Sequence, residues 1–518
     1  MKVRHASSEH SSLRRHQVAL NSTCFVLQHV KPIAVPNAVA LELLRQELPQ
    51  SSILIDRNEV EPFETDGLTA IREQPWVVVL AETVAHVRSV LRVCRECEVP
   101  LVTRGAGTGL SGGARPNSDG ILLVMTKMNK ILDVDAANCT ATVEPGVTNL
   151  AISEAVKEGG LYYAPDPSSQ IACSIGGNVA ENAGGVHCLK YGLTLHNVIG
   201  MKVQTIEGDE LVLGGKSYDN ASYDYMALFV GSEGMLGVVT EVTVQLLPIP
   251  ANQQVLLAAF NELERAGECV AGIISAGLVP AGLEMMDKLA IQAAEEYAGV
   301  GYPTDAEAIL LCELDGCLEE VEQHAASVED LMRSRGAYDV SIAKEPKDCE
   351  RLWRGRKAAF PAAGRLAPDY YCMDGTIPRY EIGRVLRSIS KMSDRYGLSV
   401  ANVFHAGDGN LHPLILFDAS DKEQMRKAEE FGGEILECCV LAGGTITGEH
   451  GVGIEKIDQM CSQFSDVELD QFHRLREAFD QAKLMNPGKA IPTLARCSEL
   501  GGMHVHRGAL PHPELERF

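Results

Sequence analysis

Apolar residues recur along this chain in short runs with two alternating periods. Ala40 to Leu48 and Val84 to Val93 have helical spacing. Pro75-Trp-Val-Val-Val-Leu80 reads as a buried strand, as do Pro100-Leu-Val-Thr103, Ile121 to Met125, Thr140 to Val143 and Met201 to Thr205. Leu150 to Glu158 is predicted helical. The alternation runs to Glu241-Val-Thr-Val-Gln245 and stops at Pro248 and Pro250, which mark a domain exit. A second unit opens with a strand (Gln254 to Phe260), a helix (Glu262 to Ala276), a strand (Ala308 to Leu314) and a long helix (Leu318 to Gly336). That order suggests a ferredoxin-like sandwich. Residues 376 to 446 repeat the rhythm, and little regular pattern remains from Asn486-Pro-Gly-Lys489 onward. The expected division is a disordered tail (1–36), a first domain (37–250), a second domain (251–485) and a closing segment (486–518).

Length agrees with this division, since 518 residues exceed one ordinary core. The chain is 45% hydrophobic and 22% charged, as for a soluble globular protein. Its formal charge of -24 repels nucleic acid and anionic lipid, so neither is expected as a partner. A small anionic substrate would then need a locally positive pocket, which a bound cation provides. The 15 cysteines are scattered. Cys94-Arg-Glu-Cys97 lies on an amphipathic helix with no second CxxC, and Cys438-Cys439 reads as packing, so a reducing compartment is expected. No apolar run approaches the roughly 18 residues that span a bilayer. Residues 1 to 30 are rich in Ser, His, Arg and Lys with Glu9 as the only acid. A transit peptide has that composition, but a disordered tail is the preferred reading.

The chemistry concentrates in His405-Ala-Gly-Asp-Gly-Asn-Leu-His412, with strand-like runs at Val400 to Phe404 and Leu414 to Phe417. Paired as a hairpin, these runs project both imidazoles from one face, a platform for a metal. Gly448-Glu449-His450-Gly451 can add a carboxylate and a third imidazole. No HExxH occurs, which excludes that class of metalloprotease.

Arg104-Gly-Ala-Gly-Thr-Gly-Leu-Ser-Gly-Gly113 follows a strand and leaves backbone N–H groups open to an anion, with diphosphate the natural guest. Alone, such a loop can also be a plain turn. It lacks the GK[ST] of a P-loop, and Leu110 replaces the third glycine of the dinucleotide fingerprint. Two further segments, Pro165 to Gly185 and Gly231 to Glu241, are too polar and glycine-rich for a core.

These three segments, in this order and spacing, resemble the flavin domain of the vanillyl-alcohol oxidase (PCMH-type) superfamily. The two-histidine turn, Gly-Glu-His-Gly and Asn-Pro-Gly-Lys resemble its FAD-linked oxidase C-terminal half. The resemblance spans about residues 40 to 518. Within the superfamily it resembles the FAD-linked large subunits of bacterial glycolate oxidase (glycolate dehydrogenase). Tyr370-Tyr-Cys-Met-Asp-Gly-Thr-Ile-Pro378 and the tail from Met503-His-Val-His506 to Pro513-Glu-Leu-Glu-Arg-Phe518 carry that likeness. The implied fold is α+β: a PCMH-type, two-subdomain FAD-binding domain and a ferredoxin-like α+β substrate domain, with residues 486–518 returning to the FAD domain.

The resemblance implies FAD with its pyrophosphate on residues 105 to 113 and its isoalloxazine against residues 165 to 185 and 231 to 239. The residues expected to bind it are Arg104, Gly105, Gly107, Thr108, Gly109, Ser111, Gly112, Pro165, Ser174, Gly177, Asn178, Gly184, Glu233, Gly237, Val239 and Asn486. The loop holds no histidine, so FAD is expected to be non-covalent; His187 lies outside it.

By resemblance, His405, His412 and Glu449 ligate a divalent metal, and His450 is the base. Two imidazoles and a carboxylate suit zinc, manganese or iron(II) alike. Arg356, in Trp353-Arg-Gly-Arg-Lys357, is the candidate clamp for the substrate carboxylate. Arg354 and Lys357 are the alternatives, and a solvated basic turn is the plain reading. Asn410 touches substrate or closes the turn. Relatives acting on larger diacids carry Lys where Cys372 stands, which argues for a monoacid. The reading is oxidation of a small 2-hydroxy acid, glycolate to glyoxylate, with D-lactate to pyruvate second. No nicotinamide fingerprint or iron–sulfur motif occurs. The resemblance therefore implies electron transfer to companion flavin and iron–sulfur subunits, and on to quinone. It implies a cytoplasmic protein held at the inner membrane face through partners. The rival is a non-catalytic flavin subunit, which would not need His405, His412, Glu449 and His450 together.

Overall fold

Val77, Val78 and Val79 are wholly buried because their strand is covered on both faces. In the computed structural model, which describes residues 35–217 and 223–493, Val77–Leu80 runs parallel to Ile121–Val124. That strand runs parallel to Leu101–Arg104, and Ile53–Leu54 pairs antiparallel at the edge. The expectations for residues 1–34 and for the Met503–Phe518 tail lie outside the described residues. Continuous apolar runs are the signature of such doubly covered parallel strands. Helices Val35–Glu47 and Val84–Cys97 cover one face. Thr83 starts the second helix, its hydroxyl accepting the His86 N–H at 3.2 Å.

A second, antiparallel sheet has the order Ile131–Asp135, Thr140–Val143, Val238–Gln245, Val198–Gln204, Glu210–Gly214. Its two outer strands were not expected. They are edge strands whose residues are largely exposed or half-buried, so their apolar signal is weak.

The second half of the chain builds one eight-stranded antiparallel sheet. Along it lie Ala337–Ala343, Asn252–Phe260, Ala308–Gly316, Gly282–Asp287, Val400–His405, Asn410–Phe417 and Asp369–Cys372, with Gly375–Thr376 also on the seam of Asn410–Phe417. The first four strands, with helices Leu263–Ser275 and Leu318–Ser334, have the ferredoxin-like order. Strands Gly282–Asp287 and Ala337–Ala343 were missed from sequence, and helix Lys288–Ala298 is inserted. The repeat expected at 376–446 extends this sheet, through Met285↔Phe404 and Met286↔Val403.

Strand alternation assigns each residue a face. Leu256, Ala258, Phe260, Phe404 and Leu411 share one core, with helices Leu263–Ser275, Leu318–Ser334, Ile382–Tyr396 and Lys422–Leu441. Val255, Leu257, Val403 and Leu414 share the other, with helices Lys288–Ala298 and Pro346–Ala363. On this second face Glu284, His405 and His412 stand two residues from Met286, Val403 and Leu414 along their strands. The apolar layer ends there and a polar cluster begins. Among the described residues, no helix is long and apolar enough to cross a membrane.

Candidate active site

The hairpin forms in the register that puts both imidazoles on one face. His405 pairs with Asn410 and Val403 with His412. The two rings lie 5.0 Å apart, nearly perpendicular. The turn is closed by Asp408, whose carboxylate accepts the Asn410 N–H at 3.1 Å, and by Gly409 at φ +84°. Asn410's amide instead packs where a Cβ on Gly448 would sit, so it sets the approach of the Gly-Glu-His-Gly loop.

Asp374 anchors that loop. Its carboxylate accepts N–H groups of Gly448 (3.0 Å), Glu449 (3.2 Å) and His450 (2.8 Å) and the Thr447 hydroxyl (2.7 Å). Lys456 Nζ lies 3.4 Å away. Burial opposes ionisation of Asp374, but His450, Lys456 and His412 hold its pKa well below the ordinary range. Sequence reasoning quoted Asp374 within a motif without giving it a role.

Held this way, Glu449 Oε1 sits 3.2 Å from His405 Nε2 and 3.0 Å from His412 Nε2. Burial opposes its ionisation, and His405 and His412 overcome that, leaving its pKa well below the usual value. Three donor atoms of His405, His412 and Glu449 converge within 4.8 Å, and a second set, Cys372, His412 and His450, does likewise. The hard-to-soft mixture of the first set suits a borderline divalent ion. The His450 ring lies parallel to His412 at 4.9 Å, and Nδ1 of each is buried without a hydrogen-bond partner. Burial and His412 bring the His450 pKa down to about 4. The ring is therefore neutral at neutral pH, with capacity to take a proton.

Behind His405 stands Glu284, which sequence analysis missed with its strand. Its Oε1 lies 2.8 Å from His405 Nδ1 and its Oε2 2.6 Å from the Arg356 guanidinium. Arg356 is 1% exposed, on helix Pro346–Ala363; it lies behind the cavity wall rather than in it, and its Nε and Nη2 have no hydrogen-bond partner. Arg354 on the same helix is exposed and fits the plain reading of a solvated turn. Lys357 and Phe360 reach the cavity next to the cluster.

That cavity, of about 490 Å³, runs from the glycine loop to His412, Glu449 and His450. Of the residues expected to bind FAD, it is lined by Gly105, Gly107, Thr108, Gly109, Ser174, Gly177, Asn178, Gly184, Glu233, Gly237 and Val239. Arg104, Ser111, Gly112, Pro165 and Asn486 do not line it. Arg104 donates to Thr65 O at 2.6 Å, and Ser111 O accepts the Ile454 N–H at 2.9 Å. Pro165 O accepts from the Asn149 amide at 2.9 Å. The Asn486 amide donates to Gly113 O (3.1 Å) and Glu233 O (2.7 Å), closing the loop from behind. Glu233's carboxylate accepts the N–H groups of Val452 (2.7 Å) and Gly453 (2.8 Å), so it joins the two halves of the chain.

The cavity suits a long anionic cofactor. Gly109 has open space where a Cβ would project, and Gly107 takes φ +73°, with a Cβ there colliding with the Arg104 guanidinium. At the far end, a Cβ on Gly184 would collide with Glu449 Oε2, so the segment from Pro165 to Gly185 reaches the His405–His412–Glu449 cluster directly. His187 is engaged elsewhere, Nδ1 with Asp166 (2.9 Å) and Nε2 with Glu313 (3.1 Å). Glu181, also missed from sequence, is a buried carboxyl in the cavity wall whose pKa is raised by burial and then by Glu233.

Comparison with known proteins shows the family of the chain. Residues 75–214 match the FAD binding domain family, and residues 249–490 match the family of FAD linked oxidases, C-terminal domain. The glycolate oxidase subunit GlcD of Escherichia coli (strain K12) is 57% identical over 93% of this chain and 97% of its own length. The GlcD subunit of Bacillus subtilis is 40% identical over 84% of this chain and 93% of its own. A D-lactate dehydrogenase of Archaeoglobus fulgidus is 33% identical over 83% of this chain and 95% of its own. Among solved structures, p-cresol methylhydroxylase with substrate bound superposes with a TM-score of 0.75 at 17% identity, covering 89% of this chain and 98% of that one. That likeness concerns the fold alone.

Proposed function

This chain belongs to the GlcD family of FAD-linked oxidases, and from that premise we propose that it oxidises glycolate to glyoxylate with a divalent metal held by His405, His412 and Glu449. It is an FAD-linked hydroxy-acid dehydrogenase. The reading rests most on one observation: Glu449 Oε1 lies between two imidazole Nε2 atoms at the end of the cavity lined by the flavin segments.

Alcohol oxidation removes a proton from oxygen and a hydride from carbon. His450, neutral and with a buried nitrogen free of partners, is the group to take the proton. FAD supplies the two-electron acceptor when bound. His405, His412 and Glu449 would hold a divalent metal, which would supply the Lewis acidity that lowers the hydroxyl pKa. Arg356 is the clamp for the carboxylate: its unpartnered, buried Nε leaves a donor for an anion. Lys357 brings a second positive charge to the cavity wall. Cys372 is buried, and burial first, then Glu455 and Asp374, raise its thiol pKa well above normal. It offers a second carboxylate no charge, which favours a monoacid. D-lactate is the second candidate, because relatives 33% and 31% identical are named D-lactate dehydrogenases. The subunit names of the GlcD relatives support a multi-subunit assembly; the finer reading is electron transfer to companion flavin and iron–sulfur subunits at the inner face of the membrane.

Purified protein should be yellow and should reduce a dye with glycolate faster than with D-lactate or a 2-hydroxy diacid. Metal analysis should find about one divalent ion per chain. Colourless protein that takes up no FAD, or glycolate turnover unchanged in His405→Ala, would refute the reading.

A further inference from the structure

We propose that Glu284 is a positioning residue: it fixes the tautomer of the metal ligand His405 and, with its other oxygen, holds the carboxylate clamp Arg356. The inference rests on the metal reading above and deepens it.

Glu284 lies on strand Gly282–Asp287, at 1% exposure, where Met286 and its neighbours on that face are apolar. An isolated carboxylate there is strongly disfavoured, so both oxygens need charged or hydrogen-bonding partners. Each has one. Oε1 hydrogen-bonds to His405 Nδ1 at 2.8 Å, and Oε2 has the charge of Arg356 at 2.6 Å, an ion pair without hydrogen-bond alignment. An ionised carboxylate can only accept, so Glu284 keeps a proton on Nδ1 and leaves Nε2 as the nitrogen that gives up its proton to ligate a metal. Nε2 is the atom facing Glu449, at 3.2 Å. A carboxylate on the far nitrogen orients a metal-bound imidazole and raises its basicity. Arg356 needs the same carboxylate, because helix Pro346–Ala363 buries its guanidinium against this face of the sheet. One side chain therefore sets the distance between the ligand cluster and the clamp. A hydroxy acid bridging the two would depend on that spacing.

The test uses the full FAD-loaded chain, stripped of metal and titrated with Mn(II) or Zn(II) by calorimetry. Glu284→Gln should weaken metal binding roughly 10- to 100-fold and raise the glycolate KM, with flavin content unchanged. Glu284→Asp keeps the charge and should recover part of the affinity. Glu284→Gln with Arg356→Met removes the cation left without its partner. That pair should regain thermal stability but not metal affinity. Wild-type metal affinity in folded Glu284→Gln, or in the double variant, would reduce Glu284 to a structural ion pair and overturn the inference. A wild-type protein that binds no metal would overturn both this inference and the reading beneath it.

Discussion

Asp374 Oδ2 accepts the backbone N–H of His450 at 2.8 Å. The same carboxylate caps Gly448 and Glu449 and faces Lys456, so one buried side chain sets the loop that presents Glu449 and His450. Asp374→Ala would remove one of two carboxylates from Lys456, which at 0% exposure would keep only Glu455 at 3.3 Å and Gly451 O at 2.9 Å. Removing one member of a buried pair costs about 3–5 kcal/mol, which urea unfolding of the purified protein would read. Asp374→Asn keeps one acceptor oxygen and should fold better. Its turnover should still fall, because only part of the N–H cradle can be satisfied. Equal turnover in Asp374→Asn and wild type would show that the loop holds its shape without the carboxylate.

Gly184→Ala tests the contact between the flavin segment and the ligand cluster. The added methyl would meet Glu449 Oε2, with Leu193 Cδ2 at 2.9 Å and the Cys188 sulfur at 3.2 Å behind it. Glu449 Oε2 is the atom it meets first, at the end of a side chain, so Glu449 is the group displaced. The expected outcome is weaker metal binding and slower glycolate oxidation, with FAD content nearer to wild type than metal content. Flavin absorbance and metal analysis on one sample separate the two. Loss of FAD with metal retained would mean that the cofactor, rather than Glu449, occupies that contact.

Chelation separates the two cofactors without mutation. Incubation with a strong chelator should abolish glycolate-dependent bleaching of the flavin and leave the oxidised flavin spectrum intact. Re-addition of zinc, manganese or iron(II), one at a time, should restore bleaching to different extents. The chemistry of two imidazoles and one carboxylate accepts all three ions. Bleaching that survives removal of all metal would place the substrate's grip on Arg356 and Lys357 alone.

Much of this site was legible because its residues sit in loops and at a strand turn, where small residues clear space for chemistry. His405, His412, Glu449 and the glycine segments announced themselves in that way. The supporting residues did not. Glu284 lies inside a short strand between Gly282 and Asp287, and its pairing with the hairpin is 121 residues distant in sequence. Nothing in a local pattern marks an acid whose partners arrive only when the sheet forms. Asp374 and Lys456 are 82 residues apart and equally silent. The fold was legible by the same logic. The doubly covered strands around Val78 and Leu122 read as apolar runs, whereas the edge strand Ile131–Asp135 exposes Ile131, Leu132 and Val134. The second ferredoxin-like rhythm was visible, but the register that joins it to the first sheet depends on Met285 and Met286, which carry no sequence sign of their partners.

Lys489 provides a prediction in pH. Its ammonium is 2% exposed, donates to Gly113 O at 2.8 Å, and also meets Arg115 O. Burial, then the Arg115 charge, brings its pKa down to about 7, against the pull of Asp66, Glu233 and Glu181. The unfolded chain returns it to its ordinary value of 10.5. Between those limits the unfolded state binds more protons than the folded one, so stability rises with pH from about 7 to 10.5. Below the folded pKa the lysine is charged in both states, and the full penalty of burying the charge is present. The slope from this one group is at most roughly 1.4 kcal/mol per pH unit. Lys489→Met removes the titration while retaining much of the side-chain volume. It should flatten the pH dependence of unfolding free energy between pH 7 and 10, and raise stability most at the acid end of that window. Urea unfolding at pH 7, 8 and 9, wild type against variant, measures the difference. Parallel profiles would show that Lys489 keeps its proton in the folded protein, held there by Asp66 and the Glu181–Glu233 pair.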